Sequence, residues 1–199
     1  AVGFSGTILT SSDGTTWTSR TSGTTSGFYG ITYGNSKFLT FTDPSMDNGT
    51  NQTASVLTSS NGTTWTTRTS GVSYDLKRVI FGNEIFVAVG DTNTIITSPD
   101  GSYWTSRTGT GNLTDVTFGD DTFVIIGGSG VRTSSDNGTT WDNRTSGTSN
   151  GLYEVSYGNN TFVAVGPSGT ILTSSDNGTT WDSRTSGTSV TLWGVTFPQ

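Results

Sequence analysis

Cysteine and histidine are both absent from this 199-residue chain. Their absence excludes a disulfide framework, a zinc site with the usual Cys or His ligands, and any Ser–His or Cys–His nucleophile pair. Charge is also sparse: nine Lys and Arg against fifteen Asp and Glu leave a net charge of −6. Nucleic-acid binding rests on Lys and Arg neutralising phosphates, so this balance argues against such a partner. No apolar run approaches the roughly 20 residues that span a bilayer, and no membrane insertion is expected. Hydrophobic residues amount to 29% of the chain. Scattered, they would leave it disordered.

They are not scattered. Short β-branched and aromatic runs recur at fixed intervals among Gly, Ser, Thr and Asn, which is how a thin-sheeted β protein reads. Trp17, Trp65, Trp104, Trp141 and Trp181 are separated by 48, 39, 37 and 40 residues. Each is followed three residues later by an arginine: Arg20, Arg68, Arg107, Arg144 and Arg184. The unit from Leu152 to Thr191 parses as four strands, LYEVSY, TFVAV, TILTS and TTWDSR, separated by turns rich in Gly and Asn. Four antiparallel strands in about 40 residues, repeated without helical periodicity, predict a propeller blade.

The expected fold is therefore all-β: a five-bladed β-propeller with four antiparallel strands per blade, forming one domain over residues 1–199. The chain opens on the tail of a second strand and ends on TLWGVTF, a first strand. The C-terminal strand over 192–197 is thus expected to join the N-terminal blade of residues 1–27 and close the ring, which removes exposed sheet edges. An insertion loop over 43–55 lengthens the first spacing.

The turn before each tryptophan carries a resemblance. Ser134-Ser135-Asp136-Asn137-Gly138-Thr139-Thr140-Trp141 and Ser174 to Trp181 fit S-x-D-x-G-x-T-W. This resembles the Asp-box, or BNR repeat, of sialidases, sortilin-type receptors and photosystem assembly propellers. Three copies are one residue shorter (Ser11 to Trp17, Ser59 to Trp65, Ser98 to Trp104), and the second has Asn61 where Asp is expected. The shortened form is similar to repeats of bacterial and phage surface proteins. The resemblance implies a propeller fold, a location that is extracellular or on a cell or virion surface, and a structural role for the boxes away from the ligand face.

Sialidase chemistry does not carry over. It requires three arginines converging on a carboxylate, yet five of the seven arginines stand at the repeated position, leaving Arg78 and Arg132. Glycoside hydrolysis by paired carboxylates would need two acids across a cleft, and only Asp115 and Glu154 are placed for it. The chain is expected not to be an enzyme, with no catalytic residues, no cofactor and no metal. Asp43, Asp47 and Asn48 of the insertion offer oxygen ligands without a calcium-loop spacing.

Ligand recognition is expected where the repeats diverge, at the start of each innermost strand. Tyr29-Gly30, Lys77-Arg78, Thr114-Asp115, Tyr153-Glu154 and Trp193-Gly194 align there. Tyr29, Lys77, Arg78, Asp115, Tyr153, Glu154 and Trp193 form the candidate binding set, since rings mixed with charged groups stack on and hydrogen-bond a sugar or anchor a protein. The bland alternative is that the rings plug the channel. Equivalent sites in every blade would have to use the repeated Trp-Arg and RTSGT segments instead. The expected function is a non-enzymatic recognition module binding carbohydrate, with a glycan or a surface protein as partner. The rival is a structural or protein-docking propeller: an assembly factor, a filament or fibre subunit, or a designed scaffold.

Overall fold

The computed structural model describes residues 1–43, 53–109, 111–128 and 130–197. Among them no helix occurs, and the strands form five sheets with antiparallel pairing in every ladder recorded. The first sheet pairs β1 (Ile8–Thr10) with β2 (Thr18–Arg20). The second holds β3 (Phe28–Gly34), β4 (Lys37–Thr42), β5 (Ser55–Ser59) and β6 (Thr66–Thr69) in chain order. The third holds β7 (Leu76–Gly82), β8 (Ile85–Gly90), β9 (Thr94–Ser98) and β10 (Thr105–Thr108). The fourth holds β11 (Asp115–Gly119), β12 (Thr122–Gly127), β13 (Gly130–Ser134) and β14 (Asp142–Arg144). The fifth holds β15 (Glu154–Gly158), β16 (Thr161–Val165), β17 (Ile171–Ser174) and β18 (Asp182–Arg184). Five such sheets, four of them four-stranded meanders, are the blades of a five-bladed propeller.

Turn chemistry sets the registers. Gly158 pairs with Thr161 across Asn159 and Asn160, whose φ values are 48° and 56°. A two-residue hairpin with both central residues left-handed matches the twist of its strands, and Asn tolerates that conformation best after Gly. Asn35-Ser36, Asn83-Glu84 and Asp120-Asp121 repeat the geometry. The fourth strands begin just after the box tryptophans, so the indole belongs to the turn and not to the ladder.

Contacts group the chain into two compact units, Ala1–Ala88 with Ile96–Thr105, and Val89–Ile95 with Ser106–Gln199. In the first, Leu39, Phe41, Val56, Leu76, Phe86 and Ile96 form the main core. In the second, Val124, Ile126, Leu152, Phe162 and Leu172 do. Each such side chain contributes roughly 1.5–3 kcal/mol by leaving water. Innermost strands meet through one repeated contact, an aromatic ring laid over a glycine. Phe81 covers Gly34 in the first unit, and Tyr157 covers Gly119 in the second.

The C-terminal segment follows that pattern within the second unit. Phe197 covers Gly158, and Leu192 N–H donates to Gly166 O at 3.0 Å, as Leu152 N–H donates to Gly128 O. It therefore lies against the fifth sheet in the position of a further innermost strand. No strand is assigned over residues 191–197, and the first sheet comprises β1 and β2 with a single Val2–Ile8 bridge. Ring packing and that backbone bond hold the segment there. Of the insertion, Asp43 is buried, and its N–H donates to Gly27 O at 2.9 Å. Asp47 and Asn48 lie outside the described residues.

Candidate functional site

The serine–aspartate turns use their polar atoms internally. In the last one, Ser174 Oγ donates to Asp176 Oδ1 at 2.7 Å and accepts Gly178 N–H at 3.0 Å. Asp176 Oδ1 accepts Thr180 N–H at 2.9 Å, while Oδ2 accepts the Thr180 hydroxyl at 2.6 Å. The Thr180 hydroxyl and amide hold the Asp176 carboxyl down to about 2. In the shorter first turn the Thr16 and Thr15 amides do the same for Asp13, also to about 2. Asn61 makes the equivalent bonds through its amide oxygen, from Thr63 N–H at 2.8 Å and Thr64 N–H at 2.9 Å. Gly178 (φ 74°) turns the chain, and its carbonyl accepts the Trp181 indole N–H at 2.9 Å. These side chains stabilise their own loop and leave few groups for a ligand.

Repeated arginines are also tied to their own blades. Arg20, Arg144 and Arg184 each donate through Nε to a threonine of the neighbouring strand (Thr10, Thr133 and Thr173) at 2.8 Å. The tryptophans depart from uniform packing. Trp181 is buried at 8% exposure, whereas Trp17 is 49% exposed.

The divergent set at the innermost strands falls into two groups. In the first unit, exposed Tyr29 stands on β3, with half-buried Lys77 and exposed Arg78 on neighbouring β7. In the second unit, Asp115 is buried. Its Oδ1 accepts Val116 N–H and its Oδ2 accepts Val155 N–H, each at 2.9 Å. Asp115 thus fastens β11 to β15, because the strand start turns its side chain inward onto two backbone amides. The neighbouring Thr114 hydroxyl makes a parallel tie, donating to Leu152 O at 2.8 Å.

Tyr153, Glu154 and Trp193 do come together. The Tyr153 and Trp193 rings stack with centroids 4.9 Å apart and planes inclined by 16°. Trp193 is 74% exposed and Tyr153 36%. Glu154 Oε2 lies 2.7 Å from where a Cβ on residue 194 would stand, so Gly194 makes room for the carboxylate beside the stack. An exposed ring platform flanked by a carboxylate holds a flat or cationic group by stacking and by cation–π attraction. The aligned pairs Tyr153-Glu154 and Trp193-Gly194 carried this signal in the sequence. The inward turn of Asp115 had no signal of its own.

Neither a protein-family model nor a curated protein sequence matches the chain. Solved structures do. The structure described as YCF48 bound to D1 peptide superposes with a TM-score of 0.68 at 18% identity, over 91% of this chain and 61% of that one. YCF48 from Cyanidioschyzon merolae gives 0.55 at 18% identity, over 95% and 81%. The WD40 β-propeller domain of Doa1 gives 0.65 at 10% identity, over 92% and 62%. The fold is a β-propeller. The chain spans less than two thirds of the length of the first of these structures.

Proposed function

We propose that this propeller is a non-enzymatic docking module whose exposed Tyr153–Trp193 stack receives an extended, basic segment of a partner protein. The observation that carries the reading is the stack itself: two large rings held face to face, uncovered, with Glu154 at their side. A Lys or Arg of the partner would lie over the rings and pair with Glu154, an arrangement favoured by the net charge of −6. One similar structure holds a peptide, which agrees in kind with a protein partner. A non-enzymatic role is supported by Asp115, whose oxygens are engaged by backbone amides and offer Glu154 no catalytic counterpart. The proposed setting is extracellular or a cell or virion surface, by the resemblance of the shortened turns to bacterial and phage surface repeats.

Carbohydrate binding at the same platform is the second reading, since exposed stacked rings also receive the apolar face of a sugar. A displayed peptide library and a glycan array, each probed with the parent chain and a Tyr153→Ala/Trp193→Ala variant, separate the two. Enrichment of basic peptides by the parent alone is the expected result. Glycan signals lost in the variant would replace the docking reading with a lectin, and peptide binding retained in the variant would move the site elsewhere.

A further inference from the structure

Two clefts of the same construction contain none of the residues of the aromatic stack. The first, of about 700 Å³, is lined by residues 5–7 and 19–25. The second, of about 570 Å³, is lined by residues 168–170 and 183–189, with Gly147, Thr148 and Asn150. Their walls are repeat-equivalent. Ser5-Gly6-Thr7 corresponds to Ser168-Gly169-Thr170, and Arg20-Thr21-Ser22-Gly23-Thr24 to Arg184-Thr185-Ser186-Gly187-Thr188.

Both clefts are braced in the same way. Ser22 Oγ donates to Thr24 O at 3.1 Å, and Ser186 Oγ donates to Thr188 O at 3.1 Å. Gly6 N–H donates to Ser26 O and Gly169 N–H to Val190 O, both at 2.8 Å. A Cβ on Gly6 or Gly169 would strike the Thr24 or Thr188 carbonyl, so the two walls touch at their base. The first cleft is lined by hydroxyls, backbone and one guanidinium, with no aliphatic or aromatic side chain, and the second adds the Asn150 amide.

The second cleft has a further wall, where Asn150 Nδ2 donates to Thr170 Oγ1 at 2.8 Å, and the two differ in how the arginine is paired. In the second cleft, Arg184 Nη2 meets Asp182 Oδ2 at 3.0 Å. In the first, the position of that aspartate is Thr18, and among the described residues Arg20 has no carboxylate partner. Its Nε is anchored on Thr10 Oγ1, which fixes the fork while leaving the Nη edge for a carboxylate. A planar donor fork amid hydroxyls matches an acidic sugar, whose carboxylate takes the arginine and whose ring hydroxyls take the Ser and Thr wall. An acidic peptide would find no apolar wall there for its neighbouring side chains.

We infer that the first-blade cleft around Arg20 is a binding site for a carboxylate-bearing sugar unit of an acidic polysaccharide. The site is independent of the aromatic stack, and what sets it apart from the Arg184 cleft is Thr18 in the place of Asp182. The test is calorimetric titration of the full chain with tetragalacturonate and with the uncharged galactose tetramer. The parent binds the acidic oligosaccharide at one site, about tenfold or more tightly than the neutral one. Thr18→Asp copies the pairing of the other cleft onto the same strand position and abolishes that preference. Asp182→Thr frees Arg184 and raises the stoichiometry from one to two. Trp193→Ala leaves acidic-sugar binding intact, which separates failure here from failure of the docking reading. Equal affinity for both oligosaccharides, no binding of either, or unchanged preference in Thr18→Asp overturns the inference.

Discussion

The serine–aspartate turns and the starts of the innermost strands are equally polar in sequence but use their side chains in opposite ways. In the turns, the box serine and aspartate are matched by donors and acceptors within a few residues, as in the closed set of Ser174, Asp176, Gly178 and Thr180. At the strand starts the side chains named here reach beyond their own loop. Asp115 reaches a neighbouring blade, while Tyr153 and Trp193 stack on each other and stay exposed. In the turns a repeated polar residue completes its own loop.

Asp115 is where this division breaks, and it carries the largest expected effect. Its sequence position is divergent, but its bonds are those of a framework residue. Asp115→Ala strands the Val116 and Val155 amides in a buried setting. The expected loss is about 3 kcal/mol, since each unsatisfied buried group costs roughly 1–3 kcal/mol. Urea unfolding of the variant against the parent measures it. A loss below about 1 kcal/mol would show that the two amide bonds are not what Asp115 contributes.

How much of this was legible follows from the range of the interactions involved. Blade boundaries and hairpins were readable because Gly158-Asn159-Asn160 and its counterparts act through their own φ angles. Box tryptophans were identifiable but their burial was not, because Trp17 and Trp181 share a motif and differ in what surrounds them. The Tyr153–Trp193 pair came from aligning the repeats, which placed both at the start of neighbouring innermost strands. The inward turn of Asp115 depends on Val155, forty residues away, and no local pattern encodes it. The clefts were visible only as a repeated RTSGT phrase. Their difference lay two residues upstream of Arg20, where Thr18 stands in place of the aspartate that pairs Arg184.

A smaller effect sharpens the comparison from the side of the turns. Asp13 and Asp176 have carboxyls lowered from 3.8 to about 2 in the folded chain by the hydrogen bonds they accept. Folded values below the unfolded ones mean that these turns contribute fully above about pH 4 and lose their contribution as pH falls toward 2. Asn61, with an amide oxygen in the same place, contributes without that dependence. Asp13→Asn is therefore expected to leave the melting temperature at pH 7 unchanged and to flatten its decline between pH 4 and 2. A decline identical to the parent would show that the Asp13 bonds are not maintained in solution.

The smallest stability effect belongs to the aromatic stack, and its smallness is the point. Trp193 is 74% exposed and belongs to no ladder, so Trp193→Ala removes little buried surface. A change within about 0.5 kcal/mol is expected, the range of surface substitutions that touch no packed feature. The same substitution is expected to cost at least tenfold in affinity for a basic peptide selected by the parent chain, because an aromatic anchor at a docking site characteristically carries 1–2 kcal/mol or more. Unfolding and binding measured on one preparation give both numbers. If stability falls as far as in Asp115→Ala, the stack is a structural clamp for the C-terminal segment, and Trp193 joins the framework. If stability holds and affinity falls, a large side chain that the fold does not need is being kept at the surface for a partner.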